Sequence, residues 1–134
     1  MITLVDSNVI LDLVTADPKW GHWSGDALSQ AADESALAIN PLIFAEVSVG
    51  FTTVEELEHL LPPEEFLRLE LPYEAAFLAG KAFLSYRRRG GRRSAPLADF
   101  YIGAHAAVAG LRLLTRDARR YRTYFRTVQL IAPE

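Results

Sequence analysis

The chain is expected to fold as an α/β sandwich around a mainly parallel sheet. Short aliphatic segments recur along it. The first, Ile2-Thr3-Leu4-Val5, lacks the polar alternation of a half-exposed strand and reads as a strand buried on both faces. Between these segments lie stretches with helix start and stop signals. Such alternation is the pattern of layered α/β folds. With 134 residues, half of them hydrophobic, the chain can bury a core as one compact domain, residues 1–134.

Each element follows from local chemistry. After strand 2–5, Ser7-Asn8 reads as a turn, with short helices over 9–14 and 20–32. Leu37-Ala38-Ile39 is a second short strand. Asn40-Pro41 starts the next helix, because Asn accepts at the N-cap and Pro suits the first helical position; the helix runs to about Val49 and Gly50 ends it. Thr53 and Glu56 make a capping box ahead of a helix to Leu61, which Pro62-Pro63 breaks. A strand is expected over 66–71. A helix over 73–88 carries Ala76, Phe77, Gly80, Phe83 and Leu84 on one stripe, and Gly90-Gly91 stops it. Residues 97–109 are helical with Gly110 at the end, and strands at 113–115 and 128–131 complete the set. In such sheets the active crevice lies at the carboxyl ends of the strands.

Composition narrows the chemistry. There is no cysteine, which excludes disulfides and thiolate metal sites. No uninterrupted apolar stretch is long enough to span a bilayer, and the first residues lack a signal-peptide layout, so a cytoplasmic location away from membranes is expected. The net charge of −3 is uninformative, but its distribution is not: residues 24–74 are acidic and the second half is basic. The basic run comprises Arg87, Arg88, Arg89, Arg92 and Arg93. It reads either as an RNA-phosphate contact or as a solvated helix end favoured by the C-terminal dipole.

Four acids stand within or just beyond apolar segments. Asp6 ends the first strand, Glu46 interrupts 41–45, Asp99 opens the small-residue run 100–110, and Asp117 follows Leu113-Leu114-Thr115-Arg116. Glu46 shares its helical face with Leu42, Ile43, Val49 and Gly50; Asp99 shares its own with Gly103, Ala106 and Gly110. Each acid has an ordinary explanation: a cap for Asp6, a paired core acid for Glu46, the helix dipole for Asp99, a turn for Asp117. Together they favour convergence on one site. Carboxylates facing an apolar interior need neutralising, and a divalent cation does that. With only oxygen ligands on offer, Mg²⁺ or Mn²⁺ is expected over Zn²⁺. An acidic pocket filled by such cations suits phosphodiester hydrolysis.

The ordered motifs are Asp6-Ser7-Asn8-Val9, Pro41-Leu-Ile-Phe-Ala-Glu46-Val, Pro96-Leu-Ala-Asp99-Phe-Tyr-Ile-Gly-Ala-His-Ala and Leu114-Thr115-Arg116-Asp117. This set resembles the PIN-domain nucleases, and most of all the VapC toxins of type II toxin–antitoxin systems, across nearly the whole chain. The resemblance implies a PIN-like three-layer α/β/α sandwich as a single domain. It implies a Mg²⁺- or Mn²⁺-dependent endoribonuclease, usually a homodimer, inhibited by a VapB antitoxin and often acting on structured RNA such as tRNA. By motif, Asp6 and Asp99 match the principal metal ligands. Glu46 and Asp117 match the remaining acids, and Ser7, Asn8 and Thr115 the supporting polar residues. No further acid follows closely after Asp117, where some PIN proteins carry one, so occupancy by one metal or two is open.

Arg116 is a candidate for a phosphate or for an acid of the cluster. His105 reads as a satisfied, partly buried histidine; Tyr121 and Tyr124 either line the cleft or pack, with packing the safer reading. Two other functions remain. A catalytically inactive module would keep the fold and bind RNA or a protein. A phosphatase of the haloacid-dehalogenase type also places an aspartate after the first strand, but it usually needs a second Asp two residues on, where Asn8 stands.

Overall fold

The structure, a computed structural model, describes residues 1–92 and 97–134. Five strands form one all-parallel sheet: β1 Ile2–Val5, β2 Ala36–Ile39, β3 Phe66–Arg68, β4 Arg112–Leu114 and β5 Leu130–Ile131. Their order is β3-β2-β1-β4-β5. Seven helices flank the sheet among the described residues: α1 Ser7–Val14, α2 Gly21–Glu34, α3 Pro41–Ser48, α4 Val54–Leu60, α5 Tyr73–Arg88, α6 Leu97–Ala109 and α7 Arg119–Tyr124. The result is the expected three-layer α/β/α sandwich. Leu4, Val5, Ala38, Ile39, Leu113 and Leu114 are essentially inaccessible to solvent, as strands covered on both faces require.

The order reverses at β1 and β4. From β1 the chain steps outward to β2 and β3; it returns on the other side at β4 and continues to β5. The crevice at such a switch point, beyond the carboxyl ends of the strands, is where ligands bind in open parallel sheets. Asp6 follows β1 and Thr115 follows β4, and the backbone N–H of Asp6 donates to Leu114 O at 2.9 Å. Register therefore sets two loops side by side.

Several local signals are realised. Asn40 caps α3 by accepting from Ile43 N–H, with Pro41 at the first helical position. Thr53 and Glu56 form a complete capping box on α4. Other elements differ from expectation. Ser7 and Asn8 are helical, because the Asp6 carboxylate accepts from Ser7 N–H and caps α1 directly after the strand. Strand β3 stops at Arg68: Leu69 N–H still reaches Ile39 O, but α3 begins at Pro41, so β2 offers no further partner. Val128 N–H bonds Phe125 O in a turn, which shortens β5.

The buried face of α5 is rotated from the expected stripe. Ala75 and Ala79 are buried, while Phe77 is 71% and Leu84 38% exposed. Alanines let α5 approach α6 closely, and the aromatic contact is made further along by Phe83 and Tyr86 on Phe100. The six-residue α7 was not expected at all.

Gly103 of α6 faces α7. A β-carbon there would fall 2.4 Å from the Phe125 ring and 3.0 Å from Tyr121. Phe125 is buried and tilted against Phe100, so its ring has little room to yield. Gly103→Ala is expected to cost about 1–3 kcal/mol in urea denaturation, the usual price of overpacking. An unchanged midpoint would show that α7 is not seated on this glycine.

Candidate functional site

Asp6 is the centre of the site. Only 4% of it is exposed. Oδ1 accepts from Ser7 N–H at 2.8 Å. Oδ2 accepts from Thr115 Oγ1 at 2.8 Å and from the Tyr121 hydroxyl at 3.0 Å, with Asn8 Nδ2 at 3.4 Å. Thr115 Oγ1 also accepts from Asp117 N–H at 3.1 Å, so its own proton is free to point at Asp6. Asn8 Oδ1 accepts from Arg116 N–H at 3.1 Å, which ties α1 to the loop after β4.

Asp6, Asp99 and Asp117 line one cleft of about 150 Å³, together with Ser7, Asn8, Arg120 and Tyr121. Glu46 is half-buried beside it and accepts from Ser7 Oγ at 3.0 Å. Asp99, in the first turn of α6, is paired with Arg120 at 2.7 Å. Of the two residues expected to share the Glu46 face beyond it, Val49 is 87% exposed and Gly50 is exposed too. Ile43 and Val47 are the buried positions of α3.

The electrostatics follow from this crowding. Burial pushes Asp6 up from 3.8 to about 6; Asp99 and Glu46 raise it further, while the Thr115 and Tyr121 hydrogen bonds pull it down. Burial also raises Asp99, opposed by Arg120 and reinforced by Asp117. Burial raises Glu46 in the same way, partly offset by Ser7. The Tyr121 phenol is raised by burial and by the acids around it, so it stays a neutral donor.

A divalent cation fits the chemistry of the donors, which are hard carboxylate oxygens under mutual repulsion. Among the described residues, however, no three carboxylates or histidines form a ready-made metal-ligand group. Asp6, Asp99 and Asp117 share the cleft with Glu46 beside it, but three of these four carboxylates are already hydrogen-bonded: Asp6 to Thr115 and Tyr121, Asp99 to Arg120, and Glu46 to Ser7. Asp6 and Asp99 are the residues that would hold the cation, with Asp117 beside them.

Other residues fall elsewhere. Arg116 pairs with Asp12, Nε to Oδ2 at 2.8 Å and Nη2 to Oδ1 at 3.0 Å, and lies 5.6 Å from the Trp20 ring centroid. Asp12 is 2% exposed and also accepts from Ser24 Oγ at 2.7 Å. Arg87, Arg88, Arg89 and Arg92 are exposed, and Arg93 lies outside the described residues. Arg89 rests 5.5 Å from the Tyr124 ring and Arg87 6.0 Å from Phe83. His105 is buried, its Nδ1 3.0 Å from Asn40 Nδ2. Asn40 Oδ1 is already committed to Ile43 N–H, so its amide donates and His105 Nδ1 accepts. Burial keeps His105 neutral, below its usual range.

Sequence reasoning passed over Asp12 and Arg120 and favoured packing for Tyr121. Asp12 carried a usable signal: it interrupts the apolar run of α1 as Glu46 interrupts that of α3. Arg120 and Tyr121 carried none, because their placement depends on α7.

The charged form of Asp6 destabilises the fold. Its folded value lies above the unfolded one, so stability is full below about pH 3.8 and is lost as pH rises through about 6. That interval corresponds to at most ~3 kcal/mol. In metal-free buffer, Asp6→Asn is expected to raise the melting temperature at pH 8, with the gain shrinking as pH falls below 5. A gain independent of pH, read by scanning fluorimetry, would contradict this.

Comparisons with known proteins agree with the fold. No curated protein matches the chain by sequence. Solved structures similar to it include VapBC2 from Rickettsia felis bound to a DNA fragment from their promoter, with TM-score 0.75, 16% identity and 100% of both chains covered. VapBC-1 from nontypeable Haemophilus influenzae has TM-score 0.73, 18% identity and 98% of each chain covered. FitAcB from Neisseria gonorrhoeae has TM-score 0.70 and 20% identity, covering 98% of this chain and 96% of that one. The family model of the PIN domain matches residues 3–126, and the chain belongs to the PIN-domain family.

Proposed function

We propose that the chain is a Mg²⁺- or Mn²⁺-dependent endoribonuclease and the toxin of a type II toxin–antitoxin pair of the VapC kind. The observation that carries this reading is the buried Asp6 carboxylate, sharing one cleft with Asp99 and Asp117 at the switch point of a PIN-domain sheet. Structures of similar fold were solved as VapBC and FitAB complexes, which supports a VapB-type antitoxin as partner. No helix among the described residues is long and apolar enough to cross a membrane. An exposed apolar row on α5, with Tyr73 90% and Phe77 71% accessible, supports a homodimer or antitoxin contact.

The residues divide the work. Ser7, Thr115, Tyr121 and Asn8 fix the Asp6 carboxylate in one orientation. Asp6 and Asp99 hold the metal, and Glu46 and Asp117 complete the acidic set that positions water. When bound, the cation supplies a lowered water pKa and stabilises charge on the phosphoryl group. Arg87, Arg88, Arg89 and Arg92 draw the RNA backbone toward the cleft, with Arg87 and Arg89 resting on Phe83 and Tyr124.

The individual hydrogen-bonded partners of the acids favour a second reading, a PIN-fold module that binds RNA or a protein without cleaving it. Purified, antitoxin-free protein separates the two. Cellular RNA incubated with Mg²⁺ or Mn²⁺ is expected to show discrete new ends. Asp6→Asn and Asp99→Asn should each slow cleavage by at least ~100-fold, more than the loss of an outer-shell partner typically costs. Intact RNA in every condition, with binding unchanged in both variants, would favour the module.

A further inference from the structure

Arg120 stands on the wall of the acidic cleft and is held from two sides. Its Nη1 donates to Asp99 Oδ2 at 2.7 Å. Its guanidinium carbon lies 5.2 Å from the Tyr86 ring centroid and 5.1 Å from that of Phe100. The rings are themselves fixed, with Tyr86 and Phe100 5.2 Å apart and Tyr124 edge-on to Phe100 at 5.6 Å. The Arg120 and Asp99 side chains are only 25% and 32% exposed. A planar cation on aromatic faces and against a carboxylate is far better ordered than a surface ion pair. Its neighbour Tyr121 donates to Asp6. One short helix thus brings a neutral donor to one acid and a fixed positive charge to the other.

We propose that Arg120 is a positioning residue that neutralises Asp99 in the metal-free protein and yields it to the incoming divalent cation, so that metal affinity is set by exchange of one cation for another. This rests on the metal-dependent reading above. A guanidinium in hydrogen-bond contact with a ligand carboxylate opposes a second cation there, because the carboxylate must be shared and the two positive charges repel. Without a cation, the same guanidinium spares the cleft an unpaired, half-buried acid beside Asp6 and Asp117. The coupling is reciprocal: by whatever factor Arg120 weakens the metal, the metal weakens the Arg120–Asp99 pair.

The test is Mn²⁺ titration of the wild type, Arg120→Gln and Arg120→Lys, with free Mn²⁺ read by electron paramagnetic resonance, alongside the melting temperature of each metal-free protein. The Gln variant is expected to bind Mn²⁺ about tenfold more tightly than wild type while its metal-free form melts lower. The Lys variant, which keeps the charge and loses the planar stack, falls between. Equal or weaker Mn²⁺ binding by the Gln variant overturns the proposal even if its melting temperature drops, since a purely structural arginine would give that result. No Mn²⁺ binding by any of the three proteins overturns the metal-dependent reading and the exchange with it. Should the Gln variant fail to fold, the Arg120 Nε–H resonance of the wild type decides: Mg²⁺ must shift it in step with occupancy, and an unmoved resonance contradicts the exchange.

Discussion

A carboxylate closed off from solvent at the end of a parallel strand is an awkward thing to build, and the rest of this molecule is arranged around that of Asp6. The side chain is 4% exposed and accepts from Ser7 on its own helix, Thr115 beyond the neighbouring strand and Tyr121 on α7. Those donors keep a buried acid tolerable but do not make it comfortable, since its pKa still rises to about 6. The neighbouring acids Asp99 and Glu46 push in the same direction. A fold selected for stability alone would place a neutral residue here. A perturbed group in a cleft is a functional-site candidate, which supports the proposed role of Asp6.

Two clamps hold the loop that carries Thr115, Arg116 and Asp117. On one side, Asp12 is buried in α1 and satisfied by Ser24 and by both guanidinium contacts from Arg116, which also packs on Trp20. On the other side, Tyr121 of α7 and Phe125 just after it pack their rings against Gly103, where a β-carbon would collide with them. The loop is thereby fixed between α1, α2 and α6, and the Tyr121 hydroxyl arrives at Asp6 as a consequence of aromatic packing some distance from the cleft.

Much of this was legible in the residues. The unalternating strands, the Asn40-Pro41 helix start and the Thr53–Glu56 capping box depend on local chemistry, and the structure carries all three. Asp6 and Asp117 could be set at strand ends because a parallel sheet puts its crevice there. What failed to show depends on packing between elements. The α5 stripe read from Phe77 and Leu84 lost to the closer approach that Ala75 and Ala79 allow against α6. Helix α7 has six residues, no side-chain cap and three arginines, so neither period nor propensity marks it. Arg120 and Tyr121 were hidden with it. Asp12 carried the same acid-in-apolar-run signal as Glu46, yet its partner Arg116 is 104 residues away and only the sheet order brings them together.

The central claim is that the cleft beneath the ends of β1 and β4 is a cation site built around Asp6. Crystals soaked in Mn²⁺ and measured for anomalous scattering test it most directly. The account predicts a peak bounded by the carboxylates of Asp6 and Asp99, and its loss in Asp6→Asn crystals. Manganese bound only at other acids on the surface, with the Asp6 cleft empty at saturating Mn²⁺, would contradict it.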